Sequence, residues 1–312
     1  MTKQKLLTGL QSSGDLHIGN YFGALKPFVD TYEEYESYLM VADYHALTSL
    51  KDGAALRRNI QNAVKDYLAV GVDPKKAVIF KQSDVPAHTE LAWIFDCLVT
   101  VKFLELGHAY KDKVAKGLEA NAGLFTYPML MAADILLYDT DVVPVGEDQR
   151  QHIEYAREAA AKFNNTYETL FKEPKELILP TLGVVPGTDG KKMSKSYGNT
   201  IPLFGTKDEL AKAVMSIVTD SGGERPENVY AIHALIKDAK ELDALYEEKK
   251  GKYKDLKEAL IEDLDAYLAP MREKRDALTD EDVARVLKEG AEKAGRVALV
   301  KMEAVRKAVG VA

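Results

Sequence analysis

Short apolar runs alternate with longer amphipathic stretches through the first half of the chain. Lys5 to Leu10, Tyr38 to Ala42 and Ala77 to Lys81 are short and dominated by apolar residues, as is Val142-Val143-Pro144-Val145. That is the length and composition of buried strands. Helical periodicity fills the intervals: Ile18 to Tyr32, Ala54 to Val70, Thr89 to Val101, Tyr127 to Tyr138 and Asp148 to Phe163. Gly71 and then Asp73-Pro74 close the second of these, as helix stop signals do. Strand–helix–strand alternation with short connections predicts a doubly wound α/β architecture, a parallel sheet with helices on both faces, of the Rossmann-like nucleotide-binding type. Beyond about residue 180 the pattern changes. A Gly/Pro/Thr-rich loop, Pro186-Gly187-Thr188-Asp189-Gly190, is followed by a lysine-rich run. From Lys207 onward strand signals vanish and charged helical segments follow one another, punctuated by Pro226, Gly251 and Pro270. A second, all-helical domain is expected there.

Composition narrows this picture. With 312 residues and 46% apolar content the chain can bury two domain cores. No apolar run approaches the ~20 residues that span a bilayer, and Met1-Thr2-Lys3-Gln4-Lys5 is followed only by Leu6-Leu7. A cytosolic protein with no membrane partner is expected. Cys97 is the single cysteine, which excludes an intramolecular disulfide and a multi-cysteine metal site. The net charge of −7 argues against a general polyanion coat, and no DNA partner is expected. A local basic surface for one folded RNA remains compatible with it.

Chemistry concentrates at the strand ends. Gly9-Leu10-Gln11-Ser12-Ser13-Gly14-Asp15-Leu16-His17-Ile18-Gly19-Asn20 spans the handover from first strand to first helix. Ligands of open parallel sheets bind beyond the carboxyl ends of strands, where helix N–H groups attract anions. The glycines permit close backbone approach, and His17 and Asn20, three apart, are expected on one helix face, both donating to phosphate or ribose. An ordinary capped turn would carry the same residues. Lys191-Lys192-Met193-Ser194-Lys195-Ser196 lies on a glycine-flanked loop, where two ammonium groups and two hydroxyls suit a departing pyrophosphate. A solvated basic loop is the plainer alternative.

Together, His17-Ile18-Gly19-Asn20 and Lys192-Met193-Ser194-Lys195-Ser196 resemble the two signatures of the class I aminoacyl-tRNA synthetases. Asn20 at the fourth position of the first is similar to the tryptophan–tyrosine subgroup. The helix Thr126-Tyr127-Pro128-Met129-Leu130-Met131-Ala132-Ala133-Asp134 looks like the amino-acid pocket of its tryptophan-specific members. Tyr127, Met131 and Asp134 share a helix face. An apolar Met131 beside one carboxylate suits indole, with its large π-surface and single N–H donor, which Asp134 would accept. The alternative is a core helix whose Asp134 is merely paired; an unpaired buried Asp would be costly. Val143-Pro144-Val145-Gly146-Glu147-Asp148-Gln149 resembles the family's Gly-Glu-Asp-Gln segment. It implies that Gly146, Glu147 and Asp148 serve ATP, the first and last through the ribose. Gln149 would reach the amino acid, and Val143 and Val145 would line the indole pocket.

The resemblance runs from about Leu6 to Val309 and implies the following. ATP would be held by Gln11, Ser12, Ser13, His17, Gly19, Asn20, Gly146, Glu147, Asp148, Lys192, Met193, Ser194, Lys195 and Ser196, with His17, Lys192 and Lys195 catalytic. Tryptophan would meet His45, which ends the second strand, with Tyr127, Met131, Asp134, Val143, Val145 and Gln149. Mg²⁺ would arrive with ATP, since no residue spacing suggests a permanent metal. His88, His108, His152 and His233 are expected to be structural or superficial. Residues 1–180 would form the catalytic domain, completed by 291–312 through a final helix Ala291 to Val309, and 181–290 would read the anticodon. A homodimer bridged by tRNA is implied, with L-tryptophan and tRNA(Trp) as substrates and AMP and pyrophosphate released. Three rivals remain: a tyrosine-specific enzyme of the same fold, an unrelated adenylyltransferase, and a non-catalytic tryptophan-binding protein.

Overall fold

The computed structural model describes residues 3–10, 15–117, 119–145, 150–179, 184–219 and 225–312. Five parallel strands form one sheet: β1 (Lys5–Leu10), β2 (Glu36–Val41), β3 (Ala77–Lys81), β4 (Val142–Pro144) and β5 (Lys175–Leu177). Their spatial order is β3-β2-β1-β4-β5. The chain therefore winds outward from β1 in one direction and then in the other, which opens a crevice between the ends of β1 and β4. Register is set by the apolar pattern: Leu7 lies beside Tyr38, and Leu39 beside Ile79. β5 was not expected from the sequence. Its Lys-Glu-Leu is three residues long and incompletely buried, so it carries no buried-strand signature.

Helices cover both faces. On one, α5 (Ala87–Asp96), α8 (Ala122–Leu136) and α9 (Arg150–Thr166) contribute Phe95, Met129, Ala133, Tyr155 and Phe163 to a core shared with Leu7, Met40 and Phe80. On the other, α4 (Gly53–Ala69) contributes Ile60, Val64 and Leu68 to a core with Leu6, Leu39, Val41 and Ile79. Short helices α1 (Ile18–Asn20), α2 (Lys26–Thr31), α3 (Asp43–Ala46), α6 (Val101–Leu104) and α7 (His108–Ala115) fill the connections. The expected helix from Ile18 to Tyr32 is interrupted by a π-helical turn, Tyr21–Leu25, a local insertion that periodicity does not reveal.

A third core joins α10 (Lys207–Met215), α11 (Glu227–His233), α12 (Ala239–Glu248) and α13 (Tyr253–Ala277) through Leu210, Val229, Leu242, Leu256 and Leu260. Ile18, Tyr21 and Phe22 of the α1 region belong to this same core. Helix α14 runs unbroken from Asp280 to Val309, whereas the sequence suggested a final helix from Ala291. Gly290, inside this helix, is a crossing point. A Cβ there would lie 1.7 Å from the Ile79 carbonyl oxygen, so only glycine lets α14 seat on the edge strand β3.

Candidate active site

The first signature begins where β1 ends. His17 caps α1 from outside the helix rather than lying on its face: its backbone N–H donates to the Asn20 Oδ1 (3.2 Å), and its Nδ1 accepts the Asn20 N–H (3.3 Å). With Nδ1 an acceptor, the proton of the neutral ring sits on Nε2. His17 is buried, and burial together with the charge of Lys195 lowers its pKa to about 4. At neutral pH it is an uncharged Nε2–H donor of fixed tautomer. Asn20 spends its Oδ1 on the cap and keeps its amide N–H groups as donors. Gly19 has no room for a side chain, since a Cβ would stand 2.9 Å from the His17 Nδ1 and 3.1 Å from the Met193 Cβ.

That last contact brings the two signatures together. Met193 is buried in the core that holds Ile18. The chain after the lysine loop clasps the first turn: Ile18 N–H donates to the Ile201 carbonyl (3.0 Å), and Leu203 N–H to the Leu16 carbonyl (3.0 Å). Lys192, Lys195 and Ser196 are exposed, with Lys195–Tyr197 in one 3-10 turn closed by Gly198 at φ 64°. The Ser194 and Ser196 hydroxyls bond each other at 2.9 Å.

The loop is organised around Asn199, which the sequence did not single out. It is buried, accepts the Ser194 N–H (2.8 Å), and donates to Asp189 (2.6 Å) and to the Lys192 carbonyl (3.2 Å). Gly187 packs on it so closely that a Cβ would fall 2.3 Å from its Nδ2.

The amino-acid side of the crevice is built on α8. Asn121 caps this helix through the Leu124 N–H, so it begins at Ala122 rather than at the expected Tyr127. Tyr127 and Met131 are half-buried on one face, and Asp134 is buried. Val143 and Val145 belong to the same apolar cluster as Met131. His45, on α3 at the end of β2, bonds the Asp134 Oδ2 through Nε2 at 2.8 Å and meets the Tyr127 ring edge-on at 6.3 Å.

Two further residues hold Asp134. Gln82, directly after β3, donates its Nε2 to Oδ1 (2.8 Å) while its Oε1 accepts the Tyr44 N–H (3.1 Å). His88, in the first turn of α5, bonds Oδ1 through Nδ1 (2.6 Å) and the Tyr138 hydroxyl through Nε2 (2.8 Å). Burial alone would push the Asp134 carboxyl up, yet the hydrogen bonds from His45 and His88 outweigh it and hold the pKa down at about 2. The carboxylate is thus ionised, oriented and deep.

Both residues left a trace in the sequence. Gln82 is a polar residue immediately after a strand, where an open sheet lines its crevice. His88 shares the α5 stripe of Leu91, Ala92 and Phe95, all buried, so an imidazole there must find partners. His233 is also buried, bonded to Asp263, whereas His108 is exposed and the His152 ring lies edge-on to Tyr127.

Gln11, Ser12, Ser13, Gly146, Glu147, Asp148 and Gln149 lie outside the described residues. No group of three or more potential metal ligands occurs among the described residues. No helix among them is long and apolar enough to cross a membrane.

Comparison with known proteins agrees with this geometry. The family "tRNA synthetases class I (W and Y)" matches residues 2–287. A tryptophan–tRNA ligase of Fusobacterium nucleatum is 49% identical, with 98% of each chain covered. One from Campylobacter jejuni is 46% identical over 98% of this chain and 99% of its own. The crystal structure of the Campylobacter jejuni tryptophanyl-tRNA synthetase complexed with ADP and tryptophan superimposes with a TM-score of 0.93 at 44% identity, covering 98% of this chain and 100% of that one. A tyrosyl-tRNA synthetase of Archaeoglobus fulgidus shares the fold, with a TM-score of 0.64 at 20% identity. By profile, by full-length identity and by fold, this chain belongs to the class I tRNA synthetases of the tryptophan and tyrosine family.

Proposed function

We propose that the protein is a tryptophan–tRNA ligase, which activates L-tryptophan with ATP and transfers it to tRNA(Trp) through a tryptophanyl-adenylate. The observation that carries the choice of amino acid is the buried, ionised Asp134 beside Tyr127, Met131 and Val143. One fixed acceptor in an apolar slot suits a ring with one N–H donor. The full-length relatives named tryptophan–tRNA ligase support the same reading.

In the first step the tryptophan carboxylate attacks the α-phosphorus of ATP and pyrophosphate leaves. Few groups need to exchange protons, so positioning and charge neutralisation dominate. His17 donates its Nε2–H to the phosphate chain, and Lys192 and Lys195 neutralise the charge that gathers on the leaving pyrophosphate. Mg²⁺ enters as part of the MgATP substrate, held mainly by phosphate oxygens. In the second step the terminal ribose hydroxyl of the tRNA attacks the mixed anhydride and AMP leaves. Gln11, Ser12, Ser13, Gly19, Asn20, Gly146, Glu147, Asp148, Met193, Ser194 and Ser196 complete the nucleotide site in this reading. His45, Val145 and Gln149 border the amino acid.

The division of labour follows. Residues 1–180, completed by the C-terminal residues 291–312, act as the catalytic domain, and 181–290 bind the anticodon. The working form is a cytoplasmic homodimer. Charging tests the whole reading. With MgATP and tryptophan, tRNA(Trp) becomes aminoacylated; a folded protein that leaves that tRNA uncharged overturns it.

A further inference from the structure

Asp134 is held by donors from three separate elements, and their count has a consequence for specificity. A carboxylate offers about four acceptor positions, two on each oxygen. Oδ1 receives Gln82 and His88, and so is filled. Among the described residues Oδ2 receives only His45, which remains partly open. Against the described residues one acceptor position is left, on the oxygen that bonds His45, whose ring meets Tyr127 edge-on.

The donors are themselves fixed. Gln82 is fully buried, and its amide cannot flip without losing the Tyr44 N–H. The Tyr138 hydroxyl is kept protonated by burial and, among the described residues, bonds His88. As the donor onto Nε2 it leaves the His88 proton on Nδ1, aimed at Asp134. His88 is fully buried, stacks on Phe80 at 6.0 Å between ring centres, and cannot turn away. Tyr138 is in turn stacked on Tyr38 at 5.0 Å.

We propose that Gln82 and the Tyr138–His88 pair are positioning residues for tryptophan selection. By filling Oδ1 they lock the Asp134 rotamer and leave a single acceptor on Oδ2 for the indole N–H. This inference rests on the tryptophan reading and deepens it. A carboxylate free to rotate would accept water or an altered ring position in place of the indole N–H, and rejection of analogues lacking that N–H would fall. His88 touches neither substrate nor reacting atoms in this account.

The test compares kcat/KM for tryptophan with that for 3-benzothienylalanine, in which sulfur replaces the indole N–H, by pyrophosphate exchange. If the wild-type enzyme fails to prefer tryptophan, the pocket reading itself is overturned before any variant is considered. Given that preference, His88→Leu is expected to lower the ratio roughly tenfold or more, the factor carried by one lost hydrogen bond to a charged group. The KM for ATP should not change. His88→Asn, whose amide can replace the Nδ1 donor, is expected to restore most of the ratio. Should His88→Leu fail to fold, Tyr138→Phe removes only the hydroxyl and is expected to lower the ratio in the same direction. A folded His88→Leu or Tyr138→Phe enzyme with the wild-type ratio would overturn the proposal. So would a loss of tryptophan and analogue turnover in equal proportion.

Discussion

At the scale of single residues, the site separates charge from orientation. His17 is neutral at pH 7 because burial and the nearby Lys195 charge depress its pKa from 6.5 to about 4. In the proposed mechanism the neutral imidazole would stabilise a transferring phosphoryl group by a directed Nε2–H, while the loop lysines would supply net charge. The depressed pKa also has a stability consequence. Between about pH 6.5 and 4 the unfolded chain binds a proton at this residue that the folded chain refuses, so the contribution of His17 is complete above 6.5 and lost as pH falls through 4. Chemical denaturation of wild type and His17→Gln should give a stability difference that shrinks across that window; a difference independent of pH would contradict the assignment. Lys195 is proposed to have the complementary role. Lys195→Ala should slow adenylate formation by roughly 10²-fold or more with little change in ATP affinity, the mark of a contact made in the transition state. Single-turnover kinetics with separately measured ATP binding would decide it, and equal losses in both would sink the idea.

At the scale of elements, the lysine loop depends on residues that bear no charge. Asn199 ties the Ser194 N–H, the Lys192 carbonyl and Asp189 into one turn. Asn199→Ala leaves the half-buried Ser194 N–H without its acceptor and should cost about 1 kcal/mol locally. The expected outcome is a higher KM for ATP and faster proteolysis within 186–198, with the KM for tryptophan unchanged; an unaltered KM for ATP would show that the loop is fixed by other means. The sequence did not disclose this hub, because a buried asparagine and a solvated one look alike in a polar loop. What it did disclose was periodic. β1 and β3 fall at the boundaries that their apolar runs suggest, and Tyr127, Met131 and Asp134 fall on one helix as their spacing requires. β5 escaped because an edge strand of three residues buries too little to leave a pattern. The role of Gly290 was not legible, because a glycine demanded by close helix–strand contact is written with the same letter as any other glycine. Gln82 and His88 became legible as ligands of Asp134 only once β3 and α5 were set side by side.

At the scale of the whole molecule, the sheet-based core and the helical core meet around the first signature. Ile18 and Phe22 are buried in the helical core, although their chain leaves β1 directly. Asp66 on α4 is buried and bonds the Arg275 Nε on α13 at 2.6 Å, a charged tie between the two bodies. It lines a cavity of about 580 Å³ together with Gly198 and Thr200 behind the lysine loop. Arg275→Ala would strand the Asp66 carboxylate in the interior, at a cost of about 3–5 kcal/mol. Calorimetry should record a lowered Tm, and loop closure over ATP should weaken with it; an unchanged Tm would mean that the tie is solvated. These couplings bear on how the enzyme works, whereas its identity rests on the amino acid that it accepts. The most direct measurement is ATP–pyrophosphate exchange with each of the twenty amino acids in turn. Exchange is expected with tryptophan, and none above background with tyrosine. Exchange driven by tyrosine, or tryptophan binding with no exchange at all, would contradict the tryptophan reading.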